Sequence, residues 1–239
     1  MKTISALVVL AASLAGQASA ASLQVAPVLL DLPAPATTAT ITLRNTDVEP
    51  ITAQLRIFRW TQENGVERLE PTNDVVASPP LVDLRSRQDY TVRVIRVASR
   101  PPGKEEAYRL VIDELPKPKR ASGTVALVMR HVVPVFFTGK SASPPAISWS
   151  AGQHGRGMTL AAVNGGDTRV RLAAVTLRDA SGQVLSASKG LLGYSLGRSS
   201  MRWDIAAPAR PTKSGASVTI SGMTETGPFN ATFPVQTAR

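Results

Sequence analysis

The chain has 239 residues, of which 43% are hydrophobic, 18% charged and 5% aromatic, with 18 Pro and no Cys. That is enough for one large or two modest cores, and it excludes a disulfide scaffold, a thiolate zinc site and a thiol nucleophile. The net charge of +10 is scattered as single Arg residues inside apolar runs, with no Lys/Arg block interleaved with aromatics, so it predicts a solvated basic surface rather than a nucleic-acid binder.

Lys2 precedes an apolar run from Ile4 to Gly16 that closes on Gln17-Ala18-Ser19-Ala20. A positive start, a short apolar core and an Ala-x-Ala ending predict a secretory signal over 1–20, cleaved after Ala20. The run is too short for a membrane anchor, so the mature protein is expected to be exported without membrane insertion.

From there the pattern is β throughout. Alternating or β-branched runs at 23–32, 39–45, 51–60, 91–97, 107–115 and 124–137 are separated by turn clusters such as Asn45-Thr46-Asp47, Glu63-Asn64-Gly65 and Ser78-Pro79-Pro80. This rhythm predicts an antiparallel sandwich. The small, polar stretch 138–145 marks a boundary, giving an N-terminal domain over 21–140 and a C-terminal one over 145–239. Further runs at 158–164, 169–178, 184–186, 201–205, 217–221 and 231–235 alternate with Gly-rich turns, so the second half repeats the architecture with a thinner core. The fold class is all-β, with two β-sandwich domains in tandem.

One run does not behave as an ordinary sandwich strand. In 125–137, one face carries Val125, Leu127, Met129, His131, Val133 and Val135, and the other Ala126, Val128, Arg130, Val132, Pro134 and Phe136. Both faces are apolar, where a half-buried strand alternates, and Pro134 points to an edge or a strand end. Two explanations stay open: a strand covered on both sides by the neighbouring domain, or an edge kept apolar because another chain pairs with it.

Several stretches carry a family resemblance: Leu-Gln-Val-Ala-Pro at 23–27, Leu-Arg-Asn at 43–45, Gln-Leu-Arg-Ile-Phe-Arg-Trp at 54–60, Ser-Pro-Pro at 78–80 and Tyr-Thr-Val-Arg-Val at 90–94. So do 103–116, which ends in Glu-Leu-Pro, and the apolar run 125–137. Together they resemble the periplasmic chaperones of the chaperone–usher pilus pathway, with details similar to the archaic, Csu-like branch. The resemblance spans the first domain and, more weakly, the second.

It implies two immunoglobulin-like domains set as an L and no enzymatic activity. In that family a chaperone lends its edge strand to a pilin subunit lacking its last strand, then releases the subunit at an outer-membrane usher. Carried over by position, Val125, Leu127, Met129 and Val133 are the groove-filling side chains of the donor strand. The implied partners are pilin subunits and the usher, with self-association capping the same strand as a further expectation; no cofactor or metal is implied.

The family also holds the subunit's C-terminal carboxylate in a cationic cleft between the domains. Here the family's Arg position is Pro27 and its Lys position is Pro134, so the candidates are Arg93 and Arg130, with Arg109 in reserve. Glu105 matches an acid that orients the domains; its usual Arg partner falls at Thr138, so that network is expected to be altered, and Glu225 is a second candidate acid. No Gly-x-Ser-x-Gly, phosphate-cradling loop or His-Glu-x-x-His occurs. An exported glycan-binding sandwich or a structural pilus component is the competing reading; few aromatics and the absence of an alternating N-terminal extension argue against it.

Overall fold

The computed structural model describes residues 23–116, 128–154, 157–205 and 215–237, and every described element is a strand, a turn or a bend. The secretory signal expected over 1–20 lies outside the described residues.

The chain enters through β1 (Leu23–Ala26), is interrupted around Pro27, and resumes as β2 (Leu30–Pro33) in a different sheet. The expected single run over 23–32 is thus two strands, since a proline without an N–H cannot continue a ladder. β3 (Thr38–Asn45), β6 (Val75–Ser78) and β8 (Asp89–Arg96) join β1 in a four-stranded sheet ordered β1-β3-β8-β6. The opposing sheet has the order β2-β10-β9-β4-β5, built from β4 (Ile51–Glu63), β5 (Val66–Pro71), β9 (Glu105–Leu115) and β10 (Arg130–Thr138). Strand β4 is long enough to change partner, pairing with β7 (Leu81–Leu84) along its first turn of register and with β5 beyond Phe58.

Period-two alternation does the packing. Ile41, Leu43, Val92 and Val94 project from one sheet, and Leu55, Leu110, Ile112, Val135 and Phe137 from the other, into one buried core. Asn45 ends β3 with a buried amide that donates to the carbonyls of Glu49, Leu84 and Arg85, while its Oδ1 accepts from the Asp47 N–H, so the turn has few loose backbone groups.

The second sandwich repeats the scheme from β11 (Ile147–His154), β12 (Gly157–Asn164), β13 (Val170–Asp179), β14 (Val184–Ala187), β15 (Leu191–Ser195), β16 (Ser199–Ile205), β17 (Ser217–Thr224) and β18 (Gly227–Thr237). Their order is β14-β13-β17-β18-β11-β12-β16, with β15 on β13, around a smaller core that includes Leu160, Leu172, Leu177, Trp203 and Ile220. Asn164 ends β12 as Asn45 ends β3: its amide donates to the carbonyls of Thr168 and Ser195, and its Oδ1 accepts from Ala146 and Gly166. The segment between the sandwiches is pinned by Asp167, which accepts from the Ser143 N–H and hydroxyl. Hydrogen bonds from Arg198 and then Ser143 hold the Asp167 carboxyl well below the usual carboxylate range.

Candidate functional site

The site is the outer face of the six-stranded sheet together with the second-domain wall against it. β10 runs antiparallel to β9 over its whole length, Arg130 opposite Asp113 through Thr138 opposite Glu105. Its other side is paired with β2 only from Val135 onward. Among the described residues, no strand pairs with that side of Arg130–Pro134.

The two explanations of the apolar run therefore divide at mid-strand. In the second half both faces are covered: Val133, Val135 and Phe137 enter the first core, while Phe136 on the other face is buried against the second domain. In the first half Val132 is 45% exposed and Val128 46%. The Glu114 N–H still donates to the Met129 carbonyl, carrying the ladder back to Met129, whose side chain is half-buried. His131 donates from Nε2 to the Leu23 carbonyl at 2.9 Å. Val125 and Leu127 lie outside the described residues. Val133 requires a correction: at 3% exposure it is a member of the first-domain core and presents nothing to a partner, because alternation turns it inward beside Val135.

The candidate arginines do not share one site. Arg93 is exposed on the outer face of the other sheet, opposite Thr40 and Ser78, because Val92 and Val94 take the inward positions; its grouping with Arg130 is corrected. Arg130 and Arg56 both bind the Asp113 carboxylate, Arg56 at 2.6 Å. Although desolvation opposes it, those hydrogen bonds hold the Asp113 pKa below the usual value.

Arg109 is placed differently. It sits opposite Pro134 in the β9–β10 register, so it emerges beside the position where the resembled family carries its Lys. It is four residues along the ladder from Arg130, about 13 Å. Its guanidinium lies 3.5 Å from the Trp60 ring centroid and 5.7 Å from that of Tyr194 in the second domain. The nearest carboxylate is Glu67 at 3.8 Å, and among the described residues the guanidinium makes no hydrogen bond. Burial pulls its pKa below the ordinary arginine value.

Behind Arg109 the domains meet in an aromatic cluster. Trp60, Phe136 and Tyr194 have ring centroids 5.4–5.9 Å apart, with Ala107 and Leu196 filling in. Three polar devices surround it. Gln62 donates to the Tyr194 carbonyl at 2.8 Å and accepts from the Leu196 N–H at 2.9 Å and the Ser199 hydroxyl at 3.1 Å. Arg169, 7% exposed, stacks 3.7 Å over Phe136 and binds Glu105 at 2.6 Å, Asp31 at 2.8 Å and Glu225 at 3.6 Å. Finally, the β4–β5 turn reaches the edge strand β16. The Gly65 carbonyl accepts from the Arg202 N–H, and a Cβ at Gly65, where φ is +86°, would stand 2.6 Å from the Arg202 side chain.

Glu105 thus has a cation, but Arg169 supplies it, and Thr138 at the expected Arg position donates its hydroxyl to the same carboxylate at 3.1 Å. Burial nevertheless pushes the Glu105 pKa up. Glu225 also accepts the Arg171 N–H at 2.9 Å. Gln62 and Arg169 were not singled out from the sequence; each makes its contacts across 64 to 138 residues of chain, and neither stands in a motif.

Residues 22–142 match the family described as pili and flagellar-assembly chaperone, PapD N-terminal domain. No curated protein sequence matches the chain significantly. Among solved structures the fold is similar to the CsuC–CsuE chaperone–tip adhesion subunit pre-assembly complex from archaic Csu pili of Acinetobacter baumannii, at 23% identity and a TM-score of 0.68, covering 92% of this chain and 100% of that one. It is also similar to the Salmonella enterica SafA pilin–SafB chaperone complex (18%, 0.62, 90% and 98%) and to the E. coli chaperone DraB (18%, 0.58, 91% and 97%).

Proposed function

The chain belongs to the family of pili and flagellar-assembly chaperones, and from that premise we propose that it works in the periplasm, binding pilin subunits by lending them strand β10 and passing them to an outer-membrane usher. The observation that carries this reading is the division of β10: its second half is locked between β2 and β9, while its first half has an unpaired backbone edge and the exposed Val132, with Val128 exposed just before the strand. An extended donor gives main-chain hydrogen bonds for affinity and alternate side chains for pockets. Met129, with Leu127 and Val125 in the preceding residues, supplies those side chains, each worth about 1.5–3 kcal/mol if fully buried. Ordering and association costs remove much of the sum, which leaves room for exchange.

The same reading takes Arg109 as the anchor for the subunit's C-terminal carboxylate, ahead of Arg130 and Arg93. It lies at the domain junction beside Pro134, and among the described residues its guanidinium makes no hydrogen bond, whereas the junction's other buried cation, Arg169, is bound by carboxylates. Glu105 and Glu225, through Arg169, are the acids that fix the angle between the domains. An assembly role of this kind needs no chemistry at the site, so the protein is read as a chaperone and not an enzyme.

The test is co-expression of the full chain with each small exported protein encoded beside its gene, followed by purification from the periplasm. A stoichiometric complex is expected with at least one of them. Leu127→Asp or Met129→Asp should abolish that complex while the near-ultraviolet dichroism of the first domain is kept. Capture that survives both substitutions removes β10 as the donor.

A further inference from the structure

We infer that Arg171, on the second domain, is the other half of the carboxylate anchor, so that the subunit's C-terminus is gripped by one arginine from each domain. This rests on the chaperone reading above and assigns a residue that neither the sequence motifs nor the family positions indicate.

The argument begins with register. Arg171 of β13 stands directly opposite Tyr194 of β15, and residues directly opposed across two strands project from the same face. Tyr194 turns that face toward the first domain, edge-on to Trp60 at 5.4 Å and 5.7 Å from the Arg109 guanidinium. Arg169, two residues earlier and hence on the same side, reaches Phe136 of β10. Val170 and Leu172 between and beyond them point the opposite way, into the second core. The start of β13 therefore presents Arg169 and Arg171 to the junction.

These cations are compensated very differently. Arg169 has Glu105, Asp31 and Glu225, and its burial leaves it a structural ion. Arg171 is exposed, and among the described residues its guanidinium has no ion-pair or hydrogen-bond partner; only its backbone N–H is engaged, by Glu225. Among the described residues Arg109 has Glu67 as its ion-pair partner, beyond hydrogen-bond length. Two arginines with free donors thus flank one tyrosine, one rooted in each domain. The charge of both is felt at the Tyr194 hydroxyl, where it opposes the rise in pKa that burial causes.

A carboxylate suits this arrangement. Its two oxygens accept about four hydrogen bonds, and guanidinium forks from two directions satisfy them better than one. A single arginine flattened on Trp60 has one edge to offer. The ligand class is a chain-terminal carboxylate in an extended segment arriving along β10, because that is the strand bordering Arg109.

The measurement is the dissociation constant of the full chain for the captured subunit, and for the same subunit lengthened by a few C-terminal residues that carry its carboxylate away. Arg171→Gln is expected to weaken the native subunit about tenfold, the scale of one charge-assisted hydrogen-bond set, and to leave the lengthened one unchanged. Arg171→Lys should restore part of the loss, and Arg109→Gln should mimic Arg171→Gln. If Arg109→Gln weakens binding while Arg171→Gln does not, the anchor belongs to the first domain alone and this inference is wrong. Equal losses for the native and lengthened subunits would also overturn it, since the carboxylate would then not be what Arg171 contacts. Should no neighbouring protein be captured at all, it is the chaperone reading itself that fails.

Discussion

Arg109 occupies a place that disfavours its own charge. Partial burial between Trp60 and Tyr194 lowers its pKa, and its ion-pair partner among the described residues, Glu67, stays 3.8 Å away on the exposed strand β5. On the anchor reading proposed above, Glu67 is an internal stand-in for an incoming carboxylate and a mild competitor. Glu67→Gln is expected to tighten subunit binding severalfold in low salt, with the gain shrinking as salt is raised, since exposed charges are screened over about 10 Å at 0.1 M. Titration calorimetry at two ionic strengths checks both parts. Residue-level roles were the least legible in the sequence. Glu105 was readable because a family position marks it, whereas Arg169, Gln62 and Arg171 act across the junction. Their meaning depends on how two sandwiches are set together, and no local period encodes that. Arg93 misled for the complementary reason: an Arg alternating with valines looks the same on either sheet.

At the level of the strand, β10 is two devices in one. Val132 and Val133 are neighbours in sequence, yet one is exposed and the other sealed in the core. Val133→Asp should prevent the first sandwich from folding, because an unpaired carboxylate in that core costs several kcal/mol. Val132→Asp should leave the unfolding midpoint within a few degrees while impairing subunit capture; thermal melts and co-purification of the pair separate the two roles. The long strands were legible, since Ile41/Leu43 and Val92/Val94 announce period two. Strands β5, β6 and β7 were not. Val-Glu-Arg-Leu-Glu-Pro is exposed at every position and shows no alternation, and its strand conformation comes from pairing with β4. The division of β10 was hidden as well, because an apolar run reads alike whether a neighbouring domain or a partner covers it.

Across the whole molecule, the junction behaves as a third core with a buried ion cluster beside it. Removing its cation should be far worse than removing one acid. Arg169→Leu leaves Glu105, 3% exposed, without a counter-charge and is expected to cost about 3–5 kcal/mol. Glu105→Gln keeps a hydrogen-bonding group of the same shape and should cost much less. The pH dependence has a definite sign. Burial raises the Glu105 pKa above 4.5, so the folded chain binds that proton more readily than the unfolded one. The site's contribution is greatest at low pH and is lost as pH rises through the raised value. Glu105→Gln should remove that component, so the stability difference between parent and variant narrows from acid toward neutral pH in denaturant titrations.

The hairpin tip at Gly65 gives the assembly a polarity in its exposed backbone. β16 is the terminal strand of the second sandwich, the kind of border on which sheets grow from molecule to molecule. The Gly65–Arg202 hydrogen bond and the close approach of the glycine occupy part of that border from within the same chain. On the reading proposed above, covering this border from within the same chain removes one place where a second copy could pair, and leaves the start of β10 to a subunit.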